Sequence, residues 1–577
     1  MHCTKERKRK MIDTIIKNAF VFQTYRQCFE KKDIAISGEK FYYIAPEISY
    51  AAKQIFDYAG KYIIPGFIDI HMHIESSMTY PKEFSKTVLP FGTTTIVADP
   101  HEIANVFGIE GIDAFMKQKT ELDIFYGIPS CVPSTNEKME TSGASINEGE
   151  VEELLKDKRV ICLGEVMNYK DLTSDKSNKL KNIIKKCKEE RFDFKIEGHC
   201  PKLSNENCAK FIFAGVDSDH TQQTVDSVME KIDMGMFLEL QKKSLSKEIV
   251  SCINQHHLYE SVALITDDTM PDELIKGHLN QIVTLAVQLG MPAEKAIYIA
   301  TFTPARRMNL SDRGAIAPGK IADFIILDNM KNMQIIEVFK RGKRVKKAYA
   351  KIEKPNLQTK FPQYFYESIL CKKAKKEDFV IKISDKAQKA VVNVIQTSEY
   401  GTFTKRVEKD VDVKQDILQW EKEDLLLVSV FERYGKNYNI SHAFLEGKWG
   451  KKGAIATSWS HDSHNILVIG NSVNDMLLLQ NRLVDMQGGY LVSQEGIITA
   501  SARLNVGGII FDGPIKSIAE EIKRVKEEIL RLGYKNNNVL MSISTLTLLV
   551  SPEIKISDQG IFDVLSQKEI PLIKSRD

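Results

Sequence analysis

Between Gly66 and Asp268 the chain repeats one texture eight times: a short apolar run, then a stretch rich in lysine and glutamate. The runs are "GFIDIHMH" (66–73), "TTIVADPH" (94–101), "DIFYGIPS" (123–130), "VICLGEV" (160–166), "FKIEGH" (194–199), "AGVDSDH" (214–220), "GMFLEL" (235–240) and "VALITDD" (262–268). Strands that are apolar on both faces and alternate with amphipathic connectors are parallel strands covered by helices. Eight of them in a little over 200 residues predict an α/β fold, a (β/α)8 TIM-like barrel.

Such a barrel carries its chemistry at the C-terminal ends of its strands. Standing at those ends here are His71 and His73, His101, Glu165, His199, His220, and Asp267 with Asp268. Five of the chain's twelve histidines therefore finish a predicted strand. Side chains at i and i+2 share a strand face, so His71 and His73 project together. Paired imidazoles beside carboxylates are what a hydrolytic divalent metal wants. His71 and His73 can share one ion, and His199 and His220, from neighbouring strands, a second. Glu165 lies between the pairs, where a carboxylate can bridge. Asp267 returns beside the first strand once a barrel closes, touching both an ion and its water. Two ions sharing one water lower its pKa toward neutrality, and Asp267 is then the expected proton shuttle. Cys131 and Cys200 near these ends are read as packing, because such sites prefer nitrogen and oxygen.

On either side the texture is different. Residues 1–11 form a basic tail, and residues 12–65 read as short strands. The barrel is assigned to 66–309, and "RGAIAPGKIADFIILD" returns to strand texture, so 12–65 and 310–350 are expected to build one small β-sandwich from both flanks. A lysine-rich linker (351–376) precedes an α+β domain (377–577), whose clearest helix is "PIKSIAEEIKRVKEEILRLG". A chain of 577 residues with 43% hydrophobic content supports several such cores. Its net charge of +3 gives no basic footprint for nucleic acid. No apolar stretch reaches the 18 residues a membrane span needs. Nine scattered cysteines without a C-x-x-C pair read as reduced thiols in a cytoplasmic protein.

Taken together, "HMHIESSM", "VADPHEIANVFG", "SCVPST", "GEVMN", "EGHCP", "SDH" and "TDD" resemble the bacterial adenine deaminase family of the amidohydrolase superfamily, and "HDSHNILVIG" and "DMQGGYLV" resemble that family's C-terminal domain. The resemblance implies hydrolysis of the purine base adenine to hypoxanthine and ammonia in purine salvage. The implied mechanism is attack of a metal-bridged hydroxide on C6, with Asp267 carrying the proton. It implies two divalent ions per chain, Mn2+ first, with Fe2+ or Zn2+ as alternatives. Glu75, His101, Glu102 and Asp268 become candidates to hold the purine ring, and barrels of this kind lead one to expect a homo-oligomer such as a dimer. Two departures bear on substrate choice: Thr221 stands where the family has an acid, and Met270 where it has a histidine. The alternatives are another aminopurine, a cyclic amide, or a purine-binding relative without turnover. His461 and His464 in "SWSHDSHN" are open to three readings: a further metal site, a lid over the barrel mouth, or a polar turn.

Overall fold

The computed structural model describes residues 11–174, 176, 178–346, 360–383 and 388–574. Nearly all of the basic start and the first part of the expected linker lie outside the described residues. Each of the eight apolar runs holds a strand. In chain order they are β1 (Phe67–Met72), β2 (Thr93–Ala98), β3 (Asp123–Ile128), β4 (Val160–Val166), β5 (Lys195–Gly198), β6 (Ser218–Asp219), β7 (Phe237–Leu240) and β8 (Val262–Leu264). Strands β1 to β5 pair in parallel as one sheet, and β6 to β8 as another. The Asp217 amide donates to Ile196 O at 3.1 Å across the first gap. A parallel bridge between Met72 and Asp267 spans the second. The result is a TIM-barrel-like domain with helices between its strands.

Burial on both faces explains the apolar runs. All six residues of β1 and of β2 are buried. Ile68, Ile70, Val97, Cys162, Ala263 and Ile265 pack together with Ala305, Met308 and Leu310, which follow the last strand. Fully burying each such aliphatic chain contributes about 1.5–3 kcal/mol. One strand end differs from the sequence reading. The second run stops at Ala98, and His101 is the first residue of a helix, His101–Phe107, because Pro100 has no amide to continue the ladder.

The flanks meet in a single eight-stranded sheet. Strands from Ile12–Gln23 through Tyr62–Pro65 join Phe324–Leu327, Ile335–Lys340 and Lys343–Arg344. The C-terminal part is a ten-stranded, mostly antiparallel sheet carrying the helices Val473–Met486 and Ile515–Leu532. Ile369, Cys371, Ala374 and Phe379, before that sheet begins, pack into its core. The C-terminal part also reaches the barrel: Asn465 Nδ2 donates to Thr141 O at 2.8 Å, and Lys526 Nζ pairs with Asp272 at 2.7 Å. Among the described residues no helix is long and apolar enough to cross a membrane.

Candidate metal centre

His71, His73, Glu165, His199, His220 and Asp267 converge at one end of the barrel-like domain, and all but His199 are buried. His199 Nδ1 and His220 Nε2 lie 2.9 Å apart, and both face Glu165 Oε2, at 2.9 and 3.1 Å. On the other side His73 Nε2 lies 3.5 Å from Glu165 Oε1 and 3.4 Å from Asp267 Oδ1, with His71 Nε2 4.0 Å from the same Asp267 oxygen. The two carboxylate oxygens of Glu165 thus address two different groups of ligands. Atoms held about 2.1 Å from one ion at tetrahedral angles stand about 3.4 Å apart, so these separations suit shared ions.

The polar atoms also call for an occupant. His71 Nε2 and His220 Nδ1 are buried without a hydrogen-bond partner, and an unmet buried group costs about 1–3 kcal/mol. Burial, followed by the neighbouring His220 and His73, holds the His71 pKa well below its ordinary value, so the ring is the neutral ligating form. Burial would push Glu165 upward, but His199 and His220 hold it well below the carboxylate range. The same balance applies to Asp267, where His73, His220 and Lys243 overcome burial. The residues present fit divalent cations.

Local structure explains the convergence. His73 Nδ1 lies 3.0 Å from the Asp99 carbonyl, which turns Nε2 toward the site. Asp99 Oδ2 accepts the Glu165 amide at 2.8 Å, fixing where the bridging carboxylate starts. Asp69 binds the Thr266 hydroxyl at 2.6 Å, tying the first strand to the last just before Asp267. Asp267 itself has φ of 58°, the left-handed turn by which its chain leaves the strand. Asp219 accepts the Cys200 amide at 3.0 Å, the Thr221 hydroxyl at 2.8 Å and Lys231 Nζ at 2.7 Å, and so locks the segments that present His199 and His220. Asp69, Asp99, Asp219 and Lys231 escaped the sequence reading. The nearest signal was an acid two residues before His71 and another one residue before His220; Asp99 and Lys231 stand away from the ligands they support.

Residues 401–568 match the model described as adenine deaminase C-terminal domain, and residues 62–345 the amidohydrolase family. Adenine deaminase 2 of Oenococcus oeni is 48% identical over 563 residues, 97% of this chain and 98% of that protein. Adenine deaminases of Lactobacillus delbrueckii subsp. bulgaricus and Clostridium perfringens are 47% and 48% identical, covering 98% of this chain and 99% and 100% of theirs. The chain belongs to the adenine deaminase family. The amidohydrolase match and the His/Glu/Asp groups together indicate divalent-metal binding.

The two departures from the adenine deaminase pattern have structural employment. The Thr221 hydroxyl is committed to Asp219, and Met270 is packed in the main hydrophobic core. Cys131 and Cys200 are buried, and burial raises both thiols well above their ordinary pKa, as packing residues should be. The four residues expected at the substrate are brought together beside the metal ligands. Ser76 Oγ donates to Glu102 Oε1 at 2.7 Å and lies 2.5 Å from Asp268 Oδ1. Glu75 Oε1 accepts the Ile103 amide at 3.2 Å, leaving Oε2 without a partner. The His101 and His73 rings are 4.6 Å apart. His461 and His464 stand in and just after a polar turn ahead of the strand Ile466–Gly470, and that turn is buried against this same group.

Proposed function

We propose that this chain hydrolyses adenine to hypoxanthine and ammonia at the cluster around Glu165. The observation that carries the reading is the split of Glu165: its two oxygens face separate histidine groups, beside a buried Asp267. The full-length identity to proteins named adenine deaminase supplies the substrate class. His71, His73 and Asp267 would hold one divalent ion, His199 and His220 the other, and Glu165 both, with Mn2+ the first choice. Ions held there would acidify a water for attack on a ring carbon.

The chain's own work is positioning and proton transfer. Asp267 takes the proton from the attacking water and delivers it to the departing amino group at C6. Glu75, His101, Glu102 and Asp268 orient the ring. Buried carboxylates accept from ring or amino N–H, and an imidazole donates to a ring nitrogen. Burial, and then the neighbouring Glu102, pushes Glu75 up to about 8, so it also offers a proton near neutral pH. At the level of the whole chain, we read the eight strands as a closed (β/α)8 barrel, the two flanks as its β-sandwich, and the last domain as a cover over the barrel mouth.

The test is ammonia release from adenine by protein reloaded with Mn2+, beside Asp267→Asn. Turnover that disappears in the variant supports both the reaction and the shuttle. A protein that holds two ions per chain and leaves adenine intact would retain the hydrolytic machinery and lose the assigned substrate.

A further inference from the structure

Ser458–Asn465 joins two neighbouring strands of the C-terminal sheet, Gly453–Thr457 and Ile466–Gly470, and all eight of its residues are buried. Its backbone is pinned from several directions. The His461 amide donates to Ser544 O at 3.2 Å, Thr547 Oγ1 donates to His461 O at 2.7 Å, and Tyr434 OH donates to Ser463 O at 2.5 Å. The segment is therefore a rigid presenter of side chains, and they meet the barrel-like domain. Asp462 Oδ1 lies 3.8 Å from His101 Nε2 and 3.2 Å from His461 Nδ1. His464 Nε2 lies 3.9 Å from Glu102 Oε2.

Several buried groups here have atoms without hydrogen-bond partners. They include Glu75 Oε2, His101 Nδ1 and Glu102 Oε2 from the barrel-like domain, and Trp459 Nε1, His461 Nε2, Asp462 Oδ2 and both ring nitrogens of His464 from the C-terminal segment. They form a mixed set, with carboxylate acceptors opposite imidazole nitrogens. A planar base carrying both ring acceptors and N–H donors answers such a set, because each edge finds its complement.

We propose that Ser458–Asn465 is the roof of the purine pocket, with His461 and Asp462 meeting the ring edge of the bound base. The inference rests on the functional reading above and goes further by placing part of substrate recognition in the C-terminal domain. His461 donates from Nε2, and Asp462 holds His461 through Nδ1 so that Nε2 points into the pocket.

Full-length protein reloaded with Mn2+ would be compared with His461→Ala, His461→Gln and Asp462→Asn. The readouts are metal per chain, the Kd for hypoxanthine by calorimetry, and KM and kcat for adenine. His461→Ala should keep the metal content while weakening hypoxanthine and raising the adenine KM about 10–100-fold, the worth of one buried hydrogen bond. His461→Gln puts an amide nitrogen near the place of Nε2 and should recover most of that loss, which a merely structural role would not. Unchanged hypoxanthine binding and KM in His461→Ala, with turnover intact in the parent, would overturn the roof alone. Loss of one metal equivalent per chain in His461→Ala or Asp462→Asn would make the cluster a cation site and overturn it as well. A parent protein that neither deaminates adenine nor binds hypoxanthine would bring down the functional reading and the roof with it.

Discussion

Lys231→Met tests whether the second histidine pair depends on a charge buried behind it. Lys231 Nζ lies 2.7 Å from Asp219 Oδ2, and the two side chains are only 2% and 0% exposed. Salt therefore screens the pair little. Burial pushes the Asp219 pKa up, but Lys231 and His220 overcome it and hold the group far below the carboxylate range. Removing one partner of a buried pair costs about 3–5 kcal/mol, because the other charge is stranded. Asp219 keeps four neutral donors: the Cys200 amide, the Thr221 amide and hydroxyl, and Gln223 Nε2. The expected loss therefore sits at the lower end, about 3 kcal/mol. For a domain of this size about 2–4 °C accompanies each kcal/mol, so the melting transition should fall by about 6–12 °C. It would be followed on metal-stripped protein, so that weaker metal binding does not add to the shift. Asp219→Asn combined with Lys231→Met removes the stranded charge and should regain part of the loss. A single variant melting within about 2 °C of the parent, or a double variant worse than the single, would refute the reasoning.

Three further outcomes follow from the same structure. Glu165→Ala removes the carboxylate whose two oxygens face the two histidine groups and should leave at most one metal per chain, with adenine turnover reduced at least about 100-fold; two retained ions, measured by elemental analysis, would exclude the bridging role. Thr221→Val deletes one donor to Asp219 and should cost about 1 kcal/mol of thermal stability with adenine KM unchanged; a large KM shift would instead put Thr221 at the substrate. Lys555, fully buried with the Thr402 carbonyl at 3.1 Å, is pushed by burial down to about 7. Its penalty is then fully present below pH 7 and vanishes above the unfolded value of about 10.4, because between these the unfolded chain binds more protons. Lys555→Met should accordingly raise the melting temperature at pH 6.5 by more than at pH 10, and an equal gain at both would contradict the assignment.

What could be read from the sequence follows the range over which each interaction acts. The His71–His73 pairing was legible because a strand repeats every two residues, and a buried apolar run fixes which face they share. Glu165 and Asp267 were legible as acids at the ends of apolar runs. His101 was misplaced onto a strand because Ala98-Asp99-Pro100 looks like a continuation, whereas the proline ends the ladder and His101 opens a helix. The groups that aim the ligands stayed hidden for a different reason. Asp99 reaches the Glu165 amide across 66 residues, and Asp69 reaches the Thr266 hydroxyl across 197. Neither contact leaves a periodic trace, since one acid at one strand position suffices. The same holds at larger scale for "SWSHDSHN". Its histidines were visible, but the partners that give them meaning, His101 and Glu102, lie some 360 residues earlier. Local pattern can say that such a segment is polar and its neighbours apolar. Only the docking of one domain on another turns a polar segment into a buried one, and a buried polar segment must find partners or hold a ligand.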